Sequence, residues 1–404
     1  MPKRIVEARV RNYKSIANAV VSLGSFTALV GPNGSGKSNF VDSLAFVQEC
    51  LSESIEVAFR NRGGIGAVRR RSTGHPTHIS MGLALDLGEG LSADYGFEIA
   101  AKPTEKFRIA REWCLLKRPM RPDLEFRVAD GVFEKAIQGI RPKVQTDRLA
   151  LFAASATEEF RPVYDFLTSM RFYSVVPTRL RELQEPDSGS VLKRDGSNAA
   201  AVLKQLAAQG DGHGRYDRLC SLLSKVVEGL KRVEYRALGQ KETLQFKQDV
   251  VGSEHPWTFD ALNMSDGTLR VLGLLLAVYQ PGDASVLTVE EPEATVHPAV
   301  MEVLLDVLLD ASRERQVVIT THSPDILDAK SLGDDNIRVV ALDKGQTLIC
   351  PLAETTRKAV RDRLYTPGEL LRVGELNPDL DAARRQNGRQ PSLLDEPSSG
   401  DETP

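Results

Sequence analysis

GPNGSGKS, residues 31–38, stands between an apolar run, SFTALV, and a stretch with helical spacing, NFVDSLAFVQECL. It satisfies G-x-x-x-x-G-K-[ST] at every position. A strand before it and a helix after it are the context that makes this pattern a phosphate loop. The residue types follow from the chemistry. Gly31, Gly34 and Gly36 let the backbone turn its N–H groups inward around phosphate oxygens. The helix starting near Lys37 adds its positive end. Lys37 reaches for the β- and γ-phosphates, and Ser38 offers its hydroxyl to Mg2+. The expected nucleotide contacts are Gly31, Pro32, Asn33, Gly34, Ser35, Gly36, Lys37, Ser38 and Asn39.

Two later stretches also end an apolar run in polar residues. In VLTVEEPE, residues 286–293, a strand delivers acids to its carboxyl end, where ligands sit in open α/β sheets. Glu290 holds the position of a magnesium-associated carboxylate, and Glu291 can accept a proton from an attacking water. Read alone, the same residues suit a helix start, which favours Glu and Pro292. In VVITTHSP, residues 317–324, His322 lies just past a second apolar run, where it can hydrogen-bond a γ-phosphate or the water. A lone His is otherwise structural. Between the two, VMEVLLDVLLDA places Val300, Leu304, Val307, Leu308 and Ala311 on one helical face. Strand, helix and strand at this spacing predict a parallel βαβ unit. MSDGTLR, residues 264–270, precedes VLGLLLAVY and reads locally as a capped core helix.

The remaining segments set the organisation. Residues 3–10 alternate apolar and charged, which suits an edge or half-buried strand. Residues 60–148 hold short strand-like pieces with an antiparallel look and 17 Lys/Arg against 11 Asp/Glu, in a chain of net charge −3. Residues 158–231 read as helical, and NIRVVALDKGQTLICPL as a closing hairpin. The expected division is an α/β core lobe at 1–59, a basic antiparallel insert at 60–157, a helical subdomain at 158–240, the rest of the core at 241–376 and a disordered tail at 377–404. The last segment has no aromatics and ends in polar residues. Cys50, Cys114, Cys220 and Cys350 form no CxxC pair, which argues against a zinc ribbon or disulfide framework. No apolar run approaches the length needed to span a bilayer, and a cytoplasmic protein is expected.

Taken together, RNYKS, GPNGSGKSNF, MSDGT, VEEPE and TTHSP resemble the head domains of ABC-type ATPases of the RecF/SMC group. RELQ, RDGSNAAAVL, KETLQF, HPWTF and RLYTPGELL resemble, within it, stand-alone bacterial AAA-family ATPases, OLD-like cores without a nuclease domain. The resemblance implies a P-loop NTPase fold with a mixed sheet, ATP and Mg2+ as ligands, and a head-to-tail homodimer burying two nucleotides. Ser265 would contact the γ-phosphate held by the partner subunit, and Gly267 would allow close backbone approach. Asp266 in place of a Gly, Glu290 in place of Asp and EATVHP after Pro292 depart from the pattern. The glutamine that completes such magnesium sites has no evident match among Gln48, Gln138 and Gln145.

Two roles follow. One is an ATP-hydrolysing dimerising switch on DNA, in repair or anti-phage defence, with Arg60, Arg62, Arg69, Arg70 and Arg71 tracking the phosphate backbone. The other is a regulatory ATPase for a separately encoded nuclease or toxin, since the 82 residues after His322 leave no room for a fused nuclease. The long insert disfavours a transporter subunit. A scaffold without turnover requires that Glu291 not act as a base.

Overall fold

In the computed structural model, residues 2–71, 78–102, 106–135, 145–208, 214–329 and 331–388 are described. Strands β1 (Arg4–Tyr13) and β2 (Ile16–Ser22) form a hairpin, and β3 (Phe26–Val30) feeds the phosphate loop and α1 (Lys37–Ser52). Two short helices, α2 (Ile55–Arg60) and α3 (Ile65–Val68), come next. The antiparallel strands are β4 (His78–Asp86), β5 (Ser92–Ala101), β6 (Phe107–Arg118), β7 (Arg121–Ala129) and β8 (Val132–Lys135). Helices α4 (Ala150–Ala154) and α5 (Arg161–Thr168) lead to β9 (Arg171–Tyr173). Then come α6 (Pro177–Arg181), α7 (Ala199–Ala208) and α8 (Arg215–Ser224). Strands β10 (Leu230–Leu238), β11 (Lys241–Gln248) and β12 (Trp257–Asp260) precede α9 (Asp266–Tyr279). The chain returns to the core with β13 (Val286–Glu290), α10 (Pro298–Ala311), β14 (Gln316–Thr321) and α11 (Pro324–Leu327). It continues through β15 (Ile337–Asp343), β16 (Gln346–Cys350), α12 (Glu354–Arg361), α13 (Pro367–Arg372) and α14 (Leu380–Gly388).

Among the described residues the strands form three sheets. The six-stranded sheet runs β16-β15-β3-β14-β13-β9, and β3, β9, β13, β14 and β15 are mutually parallel along it. The expected βαβ unit and the closing hairpin are both present. All five residues of β3 are buried. Leu29 faces one core, while Phe26, Ala28 and Val30 face another, so both faces of this sheet are covered, as a parallel sheet requires. The first core lies against the seven-stranded antiparallel sheet, β2-β1-β4-β5-β6-β7-β8, with α1 between the two sheets. There the fully buried Glu112 accepts the Ala150 N–H, the Leu151 N–H at 2.8 Å and the Tyr95 hydroxyl at 3.1 Å. Burial pushes its carboxyl up to about 7. The four cysteines are free and buried. Among the described residues, no helix is long and apolar enough to cross a membrane.

The structure decides one alternative and corrects two expectations. β1 is the half-buried strand rather than an edge strand: β2 pairs with one side and β4 with the other, and the alternation marks its two faces. The helical stretch read to residue 231 stops at α8, and β10 opens a three-stranded sheet, β10-β11-β12. Its half-exposed strands carry too few apolar residues to break the helical pattern before them. The segment from 377 is not structureless, because α14 packs Ala383 and Leu380 against Leu348 and Cys350 of β16. Residues 389–404 lie outside the described residues.

Candidate nucleotide site

Because β3, β13, β14 and β9 are parallel neighbours, their carboxyl ends meet on one sheet edge. The phosphate loop leaves β3 there. Gly34 (φ 79°) is open on its outer side, where a Cβ would meet nothing within 4 Å. Gly36 (φ 106°) opens α1 in the left-handed region, and a Cβ on it would strike Thr347 Oγ1 at 2.1 Å. Only Gly serves there, because the β15–β16 hairpin closes directly behind the loop. Thr347 Oγ1 donates to the Ser35 carbonyl at 2.9 Å. Lys37 bends into the loop and donates to the Gly31 and Pro32 carbonyls at 2.7 and 3.0 Å. Burial lowers its pKa, and Glu291 and Glu293 pull it back up. The buried Ser35 Oγ has no partner among the described residues, while Pro32, Asn33 and Ser38 are exposed. An open cradle, an ammonium resting where a phosphate would go and an unsatisfied hydroxyl fit a nucleotide phosphate. Asn39 is placed differently: its Nδ2 donates to Ser15 Oγ at 2.7 Å, behind the loop, which makes it a brace.

The acidic strap follows β13. Glu290 is held by Arg194, Nη2 to Oε1 at 2.7 Å. Glu291 lies in the left-handed region (φ 45°), with its N–H donating to the Thr320 carbonyl at 3.0 Å. That conformation is costly for a residue with a Cβ and persists where neighbours enforce it. Glu293, which sequence reasoning passed over, is half-buried with its side chain turned inward, 8% exposed. Its Oε1 accepts from Thr321 Oγ1 at 2.7 Å and the His322 N–H at 3.1 Å, and its Oε2 has no partner among the described residues. His322 Nδ1 lies 3.6 Å from Oε1 of both Glu291 and Glu293. The structure thus brings together Lys37, Glu290, Glu291 and His322 as read, and adds Glu293. Among the described residues no group of three or more His, Cys, Asp or Glu forms a metal cage. Ser38 and Glu290 are hard oxygen donors of the kind that hold magnesium jointly with phosphates. Neither glutamine candidate within the described residues sits beside this strap: Gln48 hydrogen-bonds Ser52 and the Thr168 carbonyl, and Gln145 is exposed. Gln138 lies outside the described residues.

The MSDGTLR turn is one body with the strap. Ser265 is the N-cap of α9, its Oγ accepting the Thr268 N–H at 3.1 Å. The cap is Ser265 rather than Asp266, whose exposed carboxylate is paired with Arg181 of RELQ. A Cβ on Gly267 would lie 2.8 Å from the Thr295 carbonyl, so the small residue seats the turn against the end of the strap. Arg270, also missed by sequence reasoning, is buried and donates to the Val175 carbonyl, to Glu290 O at 3.1 Å and to Glu291 O at 2.6 Å. Burial lowers its pKa, against the pull of Glu293, Glu291 and Glu290. His297, after the strap, caps α10 by accepting the Ala299 N–H.

The family model described as "AAA domain, putative AbiEii toxin, Type IV TA system" matches residues 26–328. The chain belongs to this family. It is 49% identical over 103 residues to Structural maintenance of chromosomes protein 4 of Schizosaccharomyces pombe, over 24% of this chain and 7% of that protein. It is 48% identical over 44 residues to the Chromosome partition protein Smc of Methanococcus voltae, over 11% and 4% of the two. It therefore spans less than a tenth of either curated relative. Among solved structures it resembles an SmcHead bound to the C-winged helix domain of ScpA, with TM-score 0.54 and 15% identity over 88% of this chain and 99% of that one. It also resembles an Smc head with an extended coiled coil, bound to the C-terminal domain of ScpA derived from Pyrococcus furiosus. That match has TM-score 0.54 and 12% identity over 90% and 99% of the two chains. At these identities the likeness is one of fold. This AAA-family chain is a P-loop ATPase with the fold of an SMC head.

The arginines read as a DNA patch separate. Arg62 is withdrawn: its side chain is 6% exposed and pairs with Glu49 at 2.8 Å and Asp42 at 3.0 Å. Both acids lie on α1, so this guanidinium fastens α2 to α1 and is not free for phosphates. Arg70 donates to the Ser15 carbonyl at 2.7 Å. Arg60 and Arg71 are exposed, and Arg69 is half-buried. Residues 72–77, the rest of that segment, lie outside the described residues.

Proposed function

We propose that the chain is a magnesium-dependent ATP-hydrolysing head that closes as a homodimer around two nucleotides and reopens on hydrolysis. Lys37 and the loop N–H groups bind the phosphates. Ser38 and Glu290 hold the magnesium ion, which supplies charge neutralisation at the phosphates when bound. Glu291 takes the proton of the attacking water, and His322, oriented by Glu293, faces the terminal phosphate. The observation that carries this reading is the exposure of the MSDGTLR turn. Loop, strap and His322 share one sheet edge, while Ser265, on the turn packed against the strap, presents an exposed helix N-terminus. A second copy would bring its nucleotide to that turn.

The test is Ser265→Asp beside Ser265→Ala. Asp preserves the cap, whereas Ala costs about 1 kcal/mol of helix stability. Both variants should bind ATP as monomers within about two-fold of wild type, since RT ln 2 is a minor loss. Neither should form the ATP-dependent dimer in light scattering. A dimer undiminished in both would remove the turn from the site.

The partner beyond the dimer is read as DNA, in cytoplasmic repair or anti-phage defence. Both curated relatives are chromosome proteins by name, and Arg60, Arg69, Arg70 and Arg71 remain on the basic segment. The alternative is an OLD-like regulatory ATPase acting on a separately encoded effector, which the toxin–antitoxin wording of the family description supports. A salt titration of duplex binding decides between them. Binding that weakens steeply between 50 and 200 mM salt, on the order of ten-fold or more, is the DNA outcome. Absence of binding with and without ATP leaves the effector reading.

A further inference from the structure

The RDGSN stretch, residues 194–198, enters the site only through Arg194, and the rest of it serves to place that residue. Gly196 N–H donates to the Lys193 carbonyl at 2.9 Å, closing a tight turn, with Gly196 at φ 83° against Leu180. Asn198 is buried. Its Oδ1 accepts the Lys193 N–H at 2.8 Å, and its Nδ2 donates to Asp187 at 3.0 Å and the Val191 carbonyl at 2.9 Å. The turn is laid beside the end of β9: Ser174 N–H donates to the Arg194 carbonyl at 2.9 Å, and Val176 N–H to that of Asp195 at 3.0 Å. Since β9 is the neighbour of β13, the turn delivers Arg194 to the end of the acidic strap.

There its guanidinium meets Glu290 at 2.7 Å and lies 4.0 Å from Asp42. Asp42 stands one turn after Ser38 on the same face of α1 and already holds Arg62 and Lys14. Glu290 has a side chain only 13% exposed, and among the described residues Arg194 is the cation paired with its carboxylate, while Arg270 bonds its carbonyl. A carboxylate so placed needs a counter-charge. Arg194 itself has a side chain 46% exposed, so solvent lies on its other side, and its backbone carbonyl is held by the Ser174 N–H.

We propose that Arg194 is the resident counter-ion of Glu290 and a positioning residue for metal entry, released by the carboxylate when magnesium and nucleotide are bound. This rests on the reading of Ser38 and Glu290 as the magnesium donors. Arg194 holds the carboxylate in place without metal and sets the magnesium concentration at which the site loads.

The experiment uses the full chain and a fluorescent N-methylanthraniloyl ATP, titrated with Mg2+. Arg194→Ala should lower the half-saturating Mg2+ by about two- to five-fold, the range of a partly exposed ion pair, and leave the analogue's affinity in EDTA unchanged. In a Glu290→Gln background the same substitution should shift nothing. An unchanged or raised half-point in Arg194→Ala, with its thermal unfolding as in wild type, overturns the proposal. Equal binding of the analogue by wild type and Lys37→Ala overturns the nucleotide site itself, a failure that the Lys37 variant tells apart from the first.

Discussion

Glu291→Gln is expected to bind ATP and not to turn it over. The side chain is 38% exposed, at the edge where the loop and His322 meet. Its backbone is held in the left-handed region by the Thr320 carbonyl, so the replacement enters the same position with the same shape. What it loses is proton acceptance. Removing a positioned base costs about 100- to 10,000-fold in rate, read as phosphate release. The closed state should then accumulate, and light scattering with ATP should give twice the monomer mass where wild type gives a mixture. Turnover within a few-fold of wild type would take the base role from Glu291 and leave Glu293, with its buried unpartnered oxygen, as the group to test.

Arg270→Ala is expected to disable the head, although Arg270 is read as touching no phosphate. One guanidinium satisfies the carbonyls of Val175, Glu290 and Glu291, tying α9, the segment after β9 and the acidic strap into one body. Removing it leaves buried acceptors unmet and an arginine-sized hole, at a cost of roughly 2–4 kcal/mol in denaturant unfolding. The left-handed turn at Glu291 also loses a fastening, so hydrolysis should fall further than the lost stability accounts for. Arg270→Lys separates the two effects. It restores a charge and one or two hydrogen bonds but not the fork, so stability should recover partly while turnover stays low. Turnover that recovers in step with stability would make Arg270 a purely structural residue.

What was legible in the residues, and what was not, follows from the range of the interactions. The phosphate loop, the strands on either side of the βαβ unit and the hairpin from 337 to 350 are local patterns, and each lies where its apolar run predicts. The fastenings of the site are not local. Arg181 meets Asp266 85 positions away, and Arg194 meets Glu290 96 positions away. No spacing rule connects such partners, so Asp266 read as an anomaly and RDGSN as a motif without a task. Arg62 was misread for the same reason: among arginines on a Gly-rich stretch it looks exposed, and only the packing of α2 on α1 buries it. Strand β10 escaped because its exposed residues outnumber its buried ones.

The order of strands in the central sheet also has a bearing on how the head is made. β3 pairs with β14, from Val317 onward, and with β15, from Ile337 onward. A chain emerging from the ribosome therefore carries its phosphate loop for about three hundred residues before either flanking strand exists. Thr347, which backs the loop, arrives later still. Such long-range pairing folds slowly and leaves apolar strands uncovered meanwhile. An unfinished copy is therefore expected to hold ATP poorly until β14, β15 and Thr347 have been made.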